Sequence, residues 1–195
     1  MLTEAQIASA VNDELGAKLQ TLIPTGAVTR WFNEGQARLG WFTYGSEAVN
    51  WVEGDNFVAL TTPAVGVESI LYPEDAQDRR WRHVQGGLLI EDYAGAYADG
   101  DAKVILRTYW PEVDSSTASS LPRQGDAACI AYVLHRFFRY LTADRSVYQR
   151  YSTLMGENGV GIDDLANTSD DHYKDFLDLR ADLPPEPAVS FFPEG

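Results

Sequence analysis

The sequence is poor in the side chains that most often build covalent cross-links and metal sites. Its single cysteine, Cys129, excludes an internal disulfide. The three histidines, His83, His135 and His172, are spread along the chain, and no two stand four residues apart on one helix face. A zinc site therefore has no support in the sequence. Cys129 lies in an apolar helical stretch, where we expect a buried, unreactive thiol.

Long apolar runs are also missing. No stretch approaches the ~20 apolar residues that a membrane-spanning helix requires. The first residues lack the basic segment and apolar stretch of a signal peptide. With 45% hydrophobic and 12% aromatic residues, the chain nevertheless has enough apolar surface for a folded core. We therefore expect a soluble protein that is made in a reducing compartment.

Basic side chains are scarce and unevenly placed. The chain has 15 Lys and Arg against 29 Asp and Glu, for a net charge of -14. Residues 123–156 carry five basic and two acidic side chains, whereas residues 157–195 carry two basic and ten acidic ones. This balance argues against an ordinary DNA-binding module, which needs a concentrated basic surface. It is compatible with a channel that DNA passes without sticking, or simply with solubility.

No catalytic motif is complete. The pairs Asp163-Asp164 and Asp170-Asp171 lack the central glycine and terminal glutamate of a calcium loop, so a solvated acidic face is the favoured interpretation. The glycines of residues 156–161 follow no predicted strand and precede no Gly-Lys-Ser/Thr, which is typical of a linker. We predict no catalytic residues, no cofactor and no metal.

Helical spacing of apolar residues appears at both ends of the chain. Thr3 is a candidate N-cap, and Gln6 completes a capping box before the first helix. A second helix is predicted over Ala27 to Leu39, where Gly40 ends the pattern. The C-terminal helices are predicted to begin near Pro122, Asp144 and Asp163.

The middle of the chain changes to a period of two. About six short strands are predicted, and Val49 to Leu60 has the pattern of a hairpin around Gly54-Asp55-Asn56. The connections are too short for crossover helices, so the strands should be antiparallel. The predicted fold class is therefore α+β. Residues 1–45 and 120–180 form a helical bundle, residues 46–119 an inserted antiparallel β subdomain, and residues 181–195 an extended tail.

Two segments are candidate interaction sites. Arg79, Arg80, Trp81 and Arg82 form a basic, aromatic run in an acidic protein, which suggests a subunit or tail interface, although an exposed strand explains it equally. The tail contains four prolines and therefore cannot form a helix interior or a central strand. The candidate binding residues of the tail are Pro184, Pro185, Phe191 and Phe192.

The order of these elements resembles that of the head–tail adaptor, or connector, proteins of tailed bacteriophages. The likeness covers roughly residues 3–156, and its weight comes from the order of its motifs. The segments that carry it are Trp31 to Trp41, Val49 to Leu60, Val65 to Tyr72, Arg82 to Ile90, Arg107 to Pro111, Pro122 to Leu141 and Tyr148 to Tyr151.

The resemblance implies a structural role in the neck of a virion that is assembled in the host cytoplasm. It implies a homo-oligomeric ring, usually of twelve subunits, beneath the portal protein. Such a ring extends the DNA channel and provides a platform for a distal tail, stopper or nozzle protein. In relatives the C-terminal tail commonly reaches the portal, which would correspond here to residues 180–195. The family has no catalytic residues to transfer.

Two other classes of function stay open from the residues alone. The β subdomain could be a ligand- or glycan-binding module of a virion, with aromatic side chains on one strand face. The four aspartates at positions 163, 164, 170 and 171 could support metal-assisted hydrolysis. A glycan or peptide screen would test the first alternative, and calorimetry with divalent cations would test the second.

Overall fold

A computed structural model describes residues 1–40, 43–51, 57–71, 81–90 and 100–182. The chain divides into two compact units, Met1–Trp41 with Trp110–Gly195, and Phe42–Tyr109. Within the described ranges the first unit is helical, and the second consists of two antiparallel three-stranded sheets. The α+β class and the insertion of a β unit into a helical bundle are thus confirmed.

The helical unit begins with two helices whose ends the sequence predicted well. Helix α1 spans Glu4–Gln20, and Thr3 and Gln6 form the expected capping box. A kink at Gly16, with φ of 73°, divides α1. Helix α2 spans Ala27–Leu39, and Gly40 ends it in the left-handed conformation. Arg180 stabilises the same end, because its Nε donates to the Leu39 carbonyl at 2.9 Å.

Three further helices complete this unit: α3 (Arg123–Ala143), α4 (Arg145–Met155) and α5 (Ile162–Ala181). Helix α3 is the central element, with buried residues on nearly all sides. Close approach of α2 depends on Gly35, where a Cβ would lie 3.2 Å from the Tyr132 ring. Asp144 caps α4 as predicted, since its carboxylate accepts from the amides of Ser146 and Val147. The largest fully buried side chains of this unit are Ile7, Val11, Phe32, Leu39, Tyr132, Phe137, Leu141, Leu165 and Phe176.

The β unit corrects one expectation about strand pairing. Its strands are β1 (Thr43–Trp51), β2 (Phe57–Ala59), β3 (Gly66–Leu71), β4 (Trp81–Val84), β5 (Gly87–Ile90) and β6 (Gly100–Thr108). The predicted turn at Gly54-Asp55-Asn56 lies outside the described residues, but the expected pairing of β1 with β2 is wrong for the strands that are described. Strand β1 pairs with β6, and β2 pairs with β5, so the sheet orders are β1-β6-β3 and β2-β5-β4. Among the described strands, β4 and β5 are the one sequential pair that forms a hairpin, through a turn that contains the predicted Gly86.

The two sheets share one apolar core. It contains residues from five strands: Val49, Val58, Ile70, Leu88, Val104 and Leu106. The loop after β2 is fastened by Glu47 of β1, whose carboxylate accepts from the amides of Thr61 and Thr62 at 2.7 and 2.8 Å. Burial alone would raise the pKa of Glu47, but these hydrogen bonds lower it to about 2.

The boundary between the units differs from the expected one at residues 46 and 119. The segment after Trp110 lies in the helical unit, because Asn33 exchanges two hydrogen bonds with the backbone of Val113, at 2.9 and 3.0 Å. Val113 is buried in the helical core. The amide of Ser119 donates to the carbonyl of Leu2 at 2.8 Å. Long-range hydrogen bonds of this kind have no periodic signature, which is why the sequence placed this segment in the β subdomain.

Candidate interaction surfaces

Most of the predicted interface residues lie outside the described residues. This holds for Arg79 and Arg80 and for all four residues of the tail, Pro184, Pro185, Phe191 and Phe192. Trp81 begins β4, and Arg82 follows it with an exposed side chain opposite Leu89 of β5. The proposed roles of these segments therefore stay predictions.

The helical unit has a groove that the sequence did not predict. It lies over α3, between α1 and α5, and has a volume of about 600 Å³. Its floor is formed by small and aliphatic side chains of α3, and Leu179 of α5 adds to the apolar lining. The α3 residues of the floor are Ala127, Ile130, Ala131 and Leu134. Such a surface can bury apolar atoms of a partner.

Four carboxylates border this apolar floor. Glu14 comes from α1, Asp175 and Asp178 from α5, and Asp182 from the residue just past its end. All four side chains are exposed, and the lining includes neither lysine nor arginine. The lining also includes His172, whose Nδ1 lies 3.7 Å from Asp175. The groove therefore favours a partner that combines apolar atoms with positive charge. We refer to it below as the acidic groove.

A surface of opposite charge follows along the chain. Arg139 near the end of α3 and Arg145 and Arg150 of α4 are exposed, and none forms an ion pair with another residue in the described part of the chain. The one carboxylate of this stretch, Asp144, is bonded to the amides at the start of α4. We call residues 139–150 the basic segment.

No protein-family model matches the chain, and no curated protein matches it. Among the described residues, no three side chains of His, Cys, Asp or Glu lie close enough to share a metal ion. Within the same ranges, no helix is both long enough and apolar enough to cross a membrane. Cys129 is buried as expected, and burial raises the pKa of its thiol.

One wall of the acidic groove is fixed by a buried polar contact between α3 and α5. His135 Nδ1 lies 2.9 Å from the Ser169 carbonyl, so that nitrogen must carry the proton. The Ser169 hydroxyl donates to the His135 carbonyl at 3.0 Å. The His135 ring also packs against Tyr173, with centroids 4.8 Å apart. Burial lowers the pKa of His135, so the neutral ring is the form that fits this site.

The other wall, α1, is held at its start. Glu4 Oε1 accepts from the Thr29 hydroxyl of α2 at 2.7 Å. Beside it, the Ser119 hydroxyl donates to the buried Asp126 of α3 at 2.5 Å. Burial raises the pKa of Asp126, and the hydrogen bond from Ser119 opposes this shift. These contacts fix the first turns of α1 and α3 relative to α2 and the segment before α3.

The four aspartates considered for a metal site lie on the exposed side of α5. Asp163, Asp164, Asp170 and Asp171 are all exposed. Lys174 Nζ lies 2.8 Å from Asp171. The hydrogen bond and positive charge of Lys174 lower the pKa of this aspartate.

The β unit has a smaller recess of about 330 Å³. Its lining comes from the loop that Glu47 fastens, from the turn at Gly86-Gly87 and from His83 of β4. The loop contributes Leu60, Thr61, Thr62, Pro63 and Ala64. This recess offers backbone groups, hydroxyls and one imidazole to a small polar ligand.

The acidic groove is the surface that sequence reasoning missed. Its signal was present, because Asp175, Asp178 and Asp182 follow the i, i+3, i+7 spacing of one helix face. The excess of acidic residues after position 157 was recognised only as a net charge. That α1 and α3 complete the groove depends on contacts between segments more than a hundred residues apart.

Proposed function

We propose that this chain is a non-catalytic head–tail adaptor of a tailed bacteriophage, which forms a ring beneath the portal. The observation that carries the proposal is the order of its elements. In the part of the chain that the structure describes, two N-terminal and three C-terminal α-helices form one unit, and a β unit with six strands is inserted between α2 and α3. The same order underlies the resemblance to the adaptor family.

This architecture suits a ring subunit for a physical reason. In a closed ring every subunit contacts two neighbours through different surfaces, and a further surface must face the adjoining ring. A chain with two compact units offers more separate surfaces than a single bundle of the same length. The helical unit alone carries both the acidic groove and the basic segment.

The proposal is tested by mixing the protein with the portal protein of the same virion. Negative-stain images should show a closed ring of about twelve subunits stacked coaxially on the portal. The protein alone should be mostly monomeric in light scattering at micromolar concentration. A stable dimer that does not change when the portal is added would contradict the proposal.

The C-terminal tail is the proposed contact with the portal. Phe191 and Phe192 follow a proline-containing spacer. Burial of each side chain in a partner pocket would contribute ~2 kcal/mol to the binding free energy. A spacer stiffened by proline loses less entropy on docking than a glycine-rich one. The alternative is that the two phenylalanines pack on the chain's own core.

Removal of residues 183–195 separates these two possibilities. If the tail is the portal contact, the truncated protein keeps its thermal stability but no longer attaches to the portal. A matched variant, Phe191→Ala with Phe192→Ala, should lose attachment while it keeps the spacer. A truncated protein that unfolds, or that still attaches with full affinity, would exclude the tail as the anchor.

DNA is proposed to pass the ring without binding tightly to it. The net charge of -14 repels phosphates, so the isolated protein should show negligible affinity for duplex DNA near physiological salt. Fluorescence anisotropy with labelled duplex DNA measures this directly. Micromolar affinity with a steep salt dependence would contradict the idea.

A second candidate function is a ligand- or glycan-binding module of a virion. The recess in the β unit, with His83 and the hydroxyls of Thr61 and Thr62, favours this candidate. A glycan array distinguishes it from the first proposal. Reproducible binding that disappears in a His83→Ala variant would support the recess as a ligand site.

A further inference from the structure

The acidic groove has two properties that together restrict what can occupy it. Of its floor residues, Ala127 is exposed and Ile130 half-buried, so these two leave apolar atoms open to solvent, whereas Ala131 and Leu134 are buried. Its border holds four carboxylates, and no lysine or arginine is among the lining residues. A partner must therefore supply both aliphatic surface and positive charge, and arginine side chains supply both.

The basic segment of the same protein matches this requirement. Arg145 and Arg150 are exposed on α4, and the half-buried Tyr148 lies three residues after Arg145, near the same helix face. Five helical residues separate the two arginines, or about 7.5 Å along the axis. Asp175 and Asp182 at the border are seven residues apart, or about 10 Å. At 100° per residue, Arg145 and Arg150 lie about 140° apart around α4, whereas Asp175 and Asp182 share one face, so Arg145 is the arginine that we pair with the border.

Within one chain the two surfaces come from different stretches of the helical unit. The floor of the groove uses the first half of α3, up to Leu134, whereas the basic segment begins at Arg139 and continues into α4. Two different surfaces of complementary charge can form a heterologous contact. In such a contact, one surface of each copy binds the other surface of the next copy.

The chain's own tail is a poorer occupant. Residues 183–195 carry two acidic side chains and no basic one, so the carboxylates at the border would repel them.

We propose that the acidic groove of one chain binds the basic segment of a second copy of the same chain. If the chain is a ring-forming adaptor, as proposed above, this contact repeated around an axis would be the lateral contact of the ring. That identification rests on the proposed function. The stem of Arg145 covers part of the apolar floor, and its guanidinium group pairs with a carboxylate of the border. Because the paired groups stay near the surface, the contact should weaken as salt rises.

Site-specific cross-linking tests the contact in the full chain. Ala127→Cys places a thiol on the exposed floor of the groove, and Gln149→Cys places one on the exposed basic segment. The native Cys129 is buried and should not react with the reagent. We expect a short bis-maleimide to join an A127C chain to a Q149C chain roughly tenfold more efficiently than two copies of either variant.

Charge reversal provides the second measurement. Asp178→Lys in the A127C chain, or Arg145→Glu in the Q149C chain, should each abolish cross-linking, and the two reversals mixed together should restore it. Asp170→Lys is the matched control, because Asp170 is exposed on the same helix but does not line the groove. It should leave the yield unchanged. Circular dichroism confirms that each variant is folded.

The outcomes distinguish the contact from the adaptor role. Cross-linking is measured with and without the portal protein. Groove-to-segment cross-links without any attachment to the portal would support the contact and contradict the adaptor proposal. Rings on the portal that give no such cross-link would support the adaptor and overturn the contact. Equal yields for mixed and unmixed chains, or reversals that do not restore each other, would also overturn it.

Discussion

A methyl group added at Gly87 would strike the backbone of the neighbouring strand. Gly87 lies in the middle strand of its sheet, opposite Ala59 of β2 and Val84 of β4. A Cβ at this position would lie 2.2 Å from the Val58 carbonyl oxygen and 2.7 Å from the Phe57 ring. Carbon and oxygen atoms in neighbouring strands normally stay at least ~3.3 Å apart. The Gly87→Ala variant therefore requires a strand shift of about 1 Å.

The cost of this shift should be large for a single methyl group. Overpacking typically destabilises a protein by ~1–3 kcal/mol, and a backbone atom cannot rotate away as a side chain can. The shift would also strain the hydrogen bond from the Leu60 amide to the Gly86 carbonyl, now 3.0 Å. We expect Gly87→Ala to destabilise the β unit by about 3 kcal/mol.

A matched control is available in the same unit. At Gly66, in β3, an added Cβ has no heavy atom within 4 Å and the backbone is not in the left-handed region. Gly66→Ala should therefore be neutral or stabilise by up to ~1 kcal/mol.

Hydrogen exchange read by mass spectrometry measures both variants. Peptides from β2 and β5 should exchange about a hundredfold faster in Gly87→Ala than in Gly66→Ala, while peptides from α3 serve as the internal reference. If the exchange rates of these peptides in the two variants differ by less than threefold, the steric argument is refuted.

Three further predictions concern hydrogen bonds of the two units. Glu47→Gln should lower the free energy of unfolding by about 1 kcal/mol near neutral pH, after allowance for solvent screening. Because the folded pKa is about 2 and the ordinary value is 4.5, the stability that Glu47 adds should be lost as pH falls between these values; urea titrations that show no difference between variant and parent would oppose this. Thr3→Ala should cost about 1 kcal/mol through loss of the capping box, whereas Thr25→Ala, in the turn before α2, should have little effect on thermal unfolding. Burial lowers the pKa of His135 from 6.5, so the stability that the neutral ring provides should be complete above that pH and should decline below it. His135→Asn keeps a donor near Ser169 but cannot titrate, and an unchanged slope of stability against pH in this variant would contradict the assignment.

Local signals in the sequence determined the helices. Thr3, Gln6 and Asp144 act within three residues of the amides that they cap, so their roles follow from spacing alone. The limits of α2, from Ala27 to Leu39, follow for the same reason, because Gly40 ends the apolar period. The buried state of Cys129 followed from its apolar helical surroundings.

Strand pairing was decided by tertiary structure. The sequence located most strands within a few residues. However, β1 pairs with β6 and not with β2, the next strand along the chain. The nine-residue register of Thr43↔Thr108 to Trp51↔Gly100 gives β1 a long partner, whereas β2 has only three residues. A turn pattern reports which residues can reverse the chain. It does not report which partner buries more surface in the shared core.

The candidate contact surface depended on tertiary structure in the same way. The sequence alone determined that residues 157–195 are acidic, that residues 123–156 are basic and that Asp175, Asp178 and Asp182 share a helix face. Only the packing of α1 and α5 over α3 placed those carboxylates beside an apolar floor. The physical reason is that charge and periodicity are properties of one segment. A groove is made by the space between segments, and its shape follows from contacts such as His135 with Ser169, which lie 34 residues apart.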